Sequence, residues 1–366
     1  MDLALYCPNY GYYEQKRDTP GKRGDFYTSV SVGPLFGELL AFQFAEWTSQ
    51  SGVWSLESNV SPRSSGHETL DFGLQLVEAG AHDGQLAKDI LNWLKLRRPA
   101  LFERIEYWII EPSVRRQEWQ RETLNEFGSK ARWFAELKAI APGAICGIIF
   151  SNELLDALPV HRLGWDAQRG DWFEWGVTIE GDRITWCRLP NSVHATRNTQ
   201  DAATSAIGNL PHELLAALPD GFTTEICPAA EVWWREAAAC LQSGKLLTLD
   251  YGLNAEEFFA PHRANGTLRG YHRHRLSDNI LASPGEQDLT AHVNFTAIQQ
   301  AGEAVGLKTA TFASQAQFLT RIARRTWKEE NGFGDWTAEL TRQFQTLTHP
   351  QHLGRAFRVL VQSRDD

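Results

Sequence analysis

The period of apolar and polar positions changes several times along this chain, and each change marks an element. Behind Pro34 the apolar residues Phe36, Leu39, Leu40 and Phe44 recur at helical spacing, which predicts an amphipathic helix that the proline starts. From about Leu70 short apolar runs alternate with amphipathic stretches. The run at 74–79 and the segments EYWIIEPS, ARWFAEL, AICGIIF and GKLLTLDYG read as strands. A helix near 84–97, with Leu86, Ile90, Leu91 and Leu94 on one face, follows the first, and VRRQEWQRETLNEF follows the second. Near-continuous apolar strands separated by helices predict an α/β fold whose mostly parallel sheet is covered on both faces. In such a sheet the ligand belongs at the carboxyl ends of the strands, at the switch point.

Between His161 and Asp220 the alternation stops. DWFEWGVTIEGDRITWCRL changes to period two about a turn at Glu180 to Asp182, an inserted hairpin, and GFTTEICPAAEVWWREAAACLQSGKLLTLDYG then resumes the sheet. Its helix runs from about Pro228 to Leu241. After Gly252, Arg269, Tyr271, His272, Arg273, His274 and Arg275 cluster within seven residues, an anion site, a solvated charge run or a substrate loop. Asp288 and Thr290 precede a helix and read as N-cap residues. Helices near 315–326 and 335–347 and a last strand, GRAFRVLVQS, close the chain. The pattern divides it into an N-terminal cap and helix (1–68), the first part of the core (69–160), an inserted subdomain (161–221), the resumed core (222–254), and a loop, helices and last strands (255–366).

Composition narrows the function without naming it. With 366 residues, 42% apolar and 22% charged, this is an ordinary globular chain, and a net charge of -9 argues against nucleic-acid binding through a broad basic surface. No run of 18 apolar residues predicts a membrane span. Cys7, Cys146, Cys187, Cys227 and Cys240 are scattered, never C-x-x-C, and suit a reducing compartment; without a signal or transit peptide at Met1, the cytoplasm is the expected location. Tryptophan-rich helices make a homodimer an expectation. No HEXXH spacing occurs, His272, His274 and His292 form the one trio weighed as metal ligands, and no metal is expected.

The chemistry concentrates in LVEAGAHDGQL, Leu76 to Leu86, where an apolar strand ends in an acid and breaks into a glycine turn before a helix. Such a turn lets main-chain N–H groups approach a bound cofactor. Its spacing, Glu78, Gly80 and Gly84, is not G-x-G-x-x-G, which disfavours a nicotinamide dinucleotide. Acids close three strands: Glu78, Glu111 and Asp250. Glu111 stands where a ribose diol would be gripped, or where a helix N-terminus favours negative charge. SNELLDALP, Ser151 to Pro159, brings Asn152, Glu153 and Asp156 to a strand-to-helix turn facing the crevice.

Taken in order, ALYCPNYGYY, GDFYTS with LFGELLA, VEAGAHDG, IIEPSVRRQ, FSNELLDALPVHRL, GKLLTLDYG, TLRGYHRHR, GEQDLTAHVNFTAI and LTHPQHLGRAFRVL resemble the blocks of the MidA-like S-adenosyl-L-methionine (SAM) dependent methyltransferases. Mitochondrial members of that family are complex I assembly factors that methylate a protein arginine. The resemblance implies a class I methyltransferase fold, with a Rossmann-like seven-stranded sheet, an N-terminal helical cap and an inserted hairpin and helical subdomain. It implies SAM as cofactor, with Glu78, Gly80, His82 and Gly84 around it, Glu111 on its ribose, and Gly24, Asp25, Thr28 and Ser29 closing over it. Asn152, Glu153 and Asp156 would lie by the methyl and its acceptor, with Asp250, Tyr251, Arg269, Tyr271 and His292 toward the substrate. The implied reaction is methyl transfer to an arginine of a protein substrate. Its alternatives are a small-molecule O- or N-methyltransferase and a catalytically weak assembly or binding factor of the same fold. Two positions depart from the family pattern: His82 replaces a glycine, so its imidazole must swing outward, and Asn294 in HVNF replaces the usual Asp.

Overall fold

In the computed structural model, which describes residues 1–15, 28–50, 73–189, 210–272, 275–277, 279–328 and 332–365, the apolar runs become the strands of one sheet. Two short helices, α1 (Asp2–Tyr6) and α2 (Tyr12–Gln15), precede the long helix α3 (Leu35–Gln50). Then come β1 (Leu74–Ala79), α4 (Gln85–Arg97), α5 (Pro99–Arg104), β2 (Ile105–Ile110), α6 (Val114–Thr123), β3 (Ala131–Phe134) and β4 (Ile145–Asn152). An excursion through β5 (His161–Asp166), β6 (Asp171–Glu180), β7 (Arg183–Arg188), α7 (His212–Ala217) and β8 (Thr223–Ile226) leads to α8 (Pro228–Cys240) and β9 (Leu241–Leu253). The last third holds α9 (Ala255–Phe258), β10 (Arg269–His272), β11 (Arg275–Leu276), β12 (Asp288–Thr290), β13 (Val293–Asn294), α10 (Phe295–Glu303) and β14 (Lys308–Ser314). It ends with α11 (Gln315–Thr326), α12 (Ala338–Thr348), α13 (Leu353–Ala356) and β15 (Phe357–Arg364).

The main sheet runs β14-β15-β9-β4-β1-β2-β3, with β13 adding a short pairing to β9. β3, β2, β1, β4 and β9 are parallel, and the last strand, β15, lies antiparallel between β9 and β14. This is the class I methyltransferase architecture. Alternation across the sheet separates two cores. Leu74, Leu76, Tyr107, Ile109, Ile148, Phe150, Leu247 and Val359 pack with α3, α4 and α11 on one face. Val77, Ala79, Trp108, Ile110, Ile149, Leu246 and Leu360 pack with α8 and α10 on the other. Chain order reverses between β1 and β4, so the switch point lies at their carboxyl ends.

Three expectations change. The helix behind Pro34 is not one-sided: Leu35, Phe36, Leu39, Leu40, Ala41, Phe42, Phe44 and Ala45 are all buried, because α4, α11 and α12 enclose it. A helix apolar on every side belongs inside a protein, not on its surface. The segment at 223–226 pairs with β5 in a separate four-stranded sheet, β7-β6-β5-β8, so the chain re-enters the main sheet only at Leu241. Asp288 and Thr290 lie in β12, part of a three-stranded sheet with β10 and β11, and Asn294 caps α10 by accepting from the Ala297 N–H at 3.3 Å. The neutral amide therefore does the capping at the position where charge was expected. Linker 57–69 lies outside the described residues.

Helices α1 and α2 are anchored on the three-stranded sheet through Leu5, Tyr12 and Leu289, which carries Tyr6 and Tyr13 to the switch point. Replacing Phe42, fully buried and edge-on to Trp93 at 6.0 Å and Phe333 at 5.8 Å, tests how much α3 holds. Phe42→Ala should cost about 3–5 kcal/mol in urea unfolding; a loss below about 1 kcal/mol would show that α3 anchors nothing.

Candidate active site

A cleft of about 1490 Å³ opens at the carboxyl ends of β1, β2, β3, β4 and β9. Each strand delivers its last residues to it because parallel strands all end on one side of the sheet. β1 supplies Glu78 and the turn through Asp83, β2 supplies Glu111 to Arg116, β4 supplies Asn152 to Leu158, and β9 supplies Tyr251. Arg269, Tyr271, Asp288, Thr290 and His292 close it from the three-stranded sheet, and Tyr6, Tyr13 and Glu14 from the N-terminal helices.

The turn after β1 is built from left-handed residues. Gly80 has φ +77°, His82 +47° and Gly84 +87°, and the Gly84 N–H donates to the Ala81 carbonyl at 2.7 Å. A Cβ at Gly80 would stand 3.1 Å from Leu154 Cδ1, so the glycine both takes the left-handed conformation and lets the turn lie close against Leu154. His82 takes up the conformation that a glycine would have adopted, and its ring lies 3.7 Å from the Asp83 carboxylate, three-quarters buried at the cleft wall.

The acids form two groups. Glu111 is 3% exposed, with Oε1 accepting from the Ser113 N–H at 3.0 Å and Oε2 from Gln120 Nε2 at 3.1 Å. Burial lifts its pKa, while Arg116 and these donors pull it back. Glu78 accepts from the Tyr107 hydroxyl at 2.5 Å, and burial pushes it up to about 8. The second group gathers below the loop after β4. Glu153 sits in the left-handed region at φ +52°, with Oε1 accepting from the Ser29 N–H and from Asn152 Nδ2, each at 3.1 Å. Burial pushes it to about 8.

Asp250 accepts from the N–H groups of Leu154 at 3.1 Å, Leu155 at 2.8 Å and Tyr251 at 2.8 Å, and it stands at about 7 through burial. Asp156 hydrogen-bonds to Asp250, and burial together with the charges of Asp250 and Glu153 holds its carboxyl well above the usual range. Asp156 thus keeps its proton and hydrogen-bonds through it to Asp250, whose oxygens also accept from three backbone amides. Asp288 accepts from the Tyr13 hydroxyl at 2.7 Å. Among the described residues no ion pair joins Glu78, Glu153, Asp156 or Asp250 to a lysine or arginine.

Most of the expected site residues therefore converge. Glu78, Gly80, His82, Glu111, Thr28, Asn152, Glu153, Asp156, Tyr251, Arg269, Tyr271 and His292 line the cleft. Ser29 reaches it through its N–H to Glu153, Gly84 ends the turn under α4, and Asp250 lies beneath the lining as a support for the 154–155 backbone. Gly24 and Asp25 lie outside the described residues. Arg269 faces the cleft, but its guanidinium donates to the carbonyls of Leu268 and Gly266. Of the basic cluster, Arg275 is exposed and His272 is turned to the Glu286 carbonyl at 2.8 Å, while Arg273 and His274 lie outside the described residues. His292, stacked at 6.5 Å over Tyr251, is kept neutral by burial, its pKa brought down to about 4.

Sequence reasoning missed Tyr6, Tyr13, Gln120 and Asp288. The first two sit in ALYCPNYGYY, whose aromatic repetition was the available signal. Gln120 carried none.

The residues fit an adenosyl cofactor. Glu111 presents a carboxylate at the strand end, Gly80 borders the cleft with backbone alone, and the buried Asn152 Oδ1 has no hydrogen-bond partner among the described residues, an acceptor waiting for a donor. The cleft also exceeds the roughly 300–1,000 Å³ that suffices for one drug-sized ligand, leaving room for an acceptor side chain.

Comparison with known proteins agrees. Residues 58–313 match a family described as S-adenosyl-L-methionine-dependent methyltransferases. The protein arginine methyltransferase NDUFAF7 homolog, mitochondrial, of Drosophila melanogaster is 26% identical over 99% of this chain and 79% of its own length. The human mitochondrial protein arginine methyltransferase NDUFAF7 is 26% identical over 98% and 77%. A crystal structure from Burkholderia thailandensis with S-adenosyl-homocysteine bound superposes with a TM-score of 0.78 at 28% identity, covering 100% of this chain and 87% of that one.

Three buried acids with raised pKa values make the ligand-free protein sensitive to alkali. Glu78 and Glu153 at about 8 and Asp250 at about 7 all favour the protonated form when folded. Their stabilising contribution is full below the unfolded carboxyl pKa of about 4 and is lost as pH rises through 7 to 8. The melting temperature of the ligand-free protein should fall from about pH 5 to about pH 8 and level off above, and Glu78→Gln with Glu153→Gln should flatten most of that slope. An unchanged slope in the double variant would refute the assignment.

Proposed function

The chain belongs to the MidA-like family of SAM-dependent methyltransferases, and from that premise we propose that it methylates an arginine side chain of a protein substrate. The observation that carries this reading is the acidic group at the cleft: Glu153, Asp156 and Asp288, walled by Tyr6, Tyr13, Tyr251 and Tyr271. Among the described residues no lysine or arginine ion-pairs with Glu153 or Asp156; carboxyl groups held out of water in this way are costly, and a guanidinium, flat, permanently charged and rich in donors, is the group that would satisfy them. Tyrosine faces favour the same cation. The curated relatives from fly and human carry arginine methylation in their names.

SAM, held by the turn at Gly80, by Glu111 and by Asn152, would supply a methyl group activated on a sulfonium. The chain's own groups then do the rest. Asp288 and Asp156 orient the guanidinium, and Glu153 takes one of its N–H protons onto a carboxylate oxygen as the nitrogen becomes a nucleophile. Cation binding lowers the pKa of Glu153 from its raised value, so the carboxylate forms when the substrate arrives. The half-buried tyrosines at the cleft wall would keep water from the methyl. All five cysteines are free, which supports a reducing compartment such as cytoplasm or mitochondrial matrix.

Glu153→Gln should lower kcat by about 10²–10⁴-fold toward an arginine-containing protein substrate. In the wild type, kcat/KM should rise with pH along a limb centred near pH 8, and Glu153→Gln should remove that limb. Asp156→Asn should lower kcat/KM by at least about tenfold through lost orientation. Intact-mass analysis with labelled SAM reads both. Label appearing only in small metabolites, or undiminished transfer by both variants, would overturn the reading.

A further inference from the structure

We infer that Gln120 is a positioning residue for the cofactor: it holds His82 in the conformation of a glycine and aims the Glu111 carboxylate. Gln120 is fully buried on α6, and each polar atom of its side chain is used. The Trp133 indole Nε1 donates to Gln120 Oε1 at 2.9 Å. An indole nitrogen only donates, so the amide is fixed one way round and its Nε2 must face acceptors. Two are in place, the His82 carbonyl at 3.0 Å and Glu111 Oε2 at 3.1 Å. One side chain thus ties the turn after β1 to the acid after β2, the two parts that would hold adenosyl and sugar.

Its effect on His82 is specific. A residue with a Cβ is disfavoured in the left-handed region, and at φ +47° His82 sits there. The bond to its carbonyl fixes the peptide between His82 and Asp83 in that state. Gln120 also packs under the turn, since a Cβ at Gly84 would stand 3.4 Å from its Cα. A chain that lacks glycine at this position therefore has a means of keeping the turn in shape. The same amide donates to one Glu111 oxygen while the Ser113 N–H holds the other, which fixes the carboxylate plane before any ligand arrives.

The inference rests on adenosyl binding in this cleft and is independent of arginine as the acceptor, so it is tested by binding alone. The full chain and its variants are titrated calorimetrically with S-adenosyl-homocysteine. Gln120→Leu should weaken binding about tenfold or more, the worth of hydrogen bonds to a charged group. His82→Gly alone should change it less than about threefold, yet added to Gln120→Leu it should recover about threefold or more, because glycine needs no holding. Trp133→Phe, which frees the amide to turn over, should weaken binding about threefold in a folded chain and decides the matter if Gln120→Leu does not fold. Gln120→Leu binding within about threefold of wild type, additive effects of Gln120→Leu and His82→Gly, or an unchanged affinity in Trp133→Phe would each overturn it.

Discussion

The site depends on carboxyl groups held out of water: Glu78, Glu153, Asp156 and Asp250 have no lysine or arginine ion pair among the described residues. Parallel strands that end at one edge bring Glu78, Glu153 and Asp250 to the cleft whether or not their charges are welcome, and backbone amides and hydroxyls satisfy them only in part. Ser29, Leu154, Leu155 and Tyr251 donate main-chain N–H groups, and Tyr107 donates a hydroxyl. Protonation covers the remainder, which is why the acids stand near 7 to 8 or above. Such a cluster is a site poised to bind a cation and to take up a proton near neutral pH. Backbone strain at Glu153 and His82, both at positive φ, falls on the same cleft, as expected where function outweighs local preference.

Much of this was legible in the residues. Alternating strand and helix patterns gave the sheet, and the acid-to-glycine turn at Glu78 and Gly80 marked the cleft, because strand ends and left-handed turns leave local signatures. Asn152, Glu153 and Asp156 could be read from SNELLDALP for the same reason. What the sequence hid is non-local. Gln120 lies mid-helix with no motif around it, and its role exists only because α6 packs under the turn. Asp288 looked like a helix cap because a helix follows, but it lies in an edge strand, opposite Tyr271 of β10. The all-round burial of α3 was hidden by its polar residues Gln43 and Thr48, which are themselves buried.

The two departures from the family pattern resolve differently. Asn294 keeps a local role, since an amide oxygen caps a helix as a carboxylate does. His82 keeps the backbone shape of the glycine it replaces and adds a side chain at the cleft wall beside Asp83. The turn thus survives the loss of its most permissive residue because neighbouring hydrogen bonds, and not intrinsic propensity, set its conformation.

A crystal structure of the chain soaked with S-adenosyl-homocysteine tests the central claim most directly. The account predicts adenosyl density against the turn at Gly80, with both sugar hydroxyls within hydrogen-bonding distance of Glu111 and the sulfur facing Glu153. Density elsewhere in the cleft, or a His82 imidazole filling the space beside Gly80 with Glu111 untouched, would contradict it.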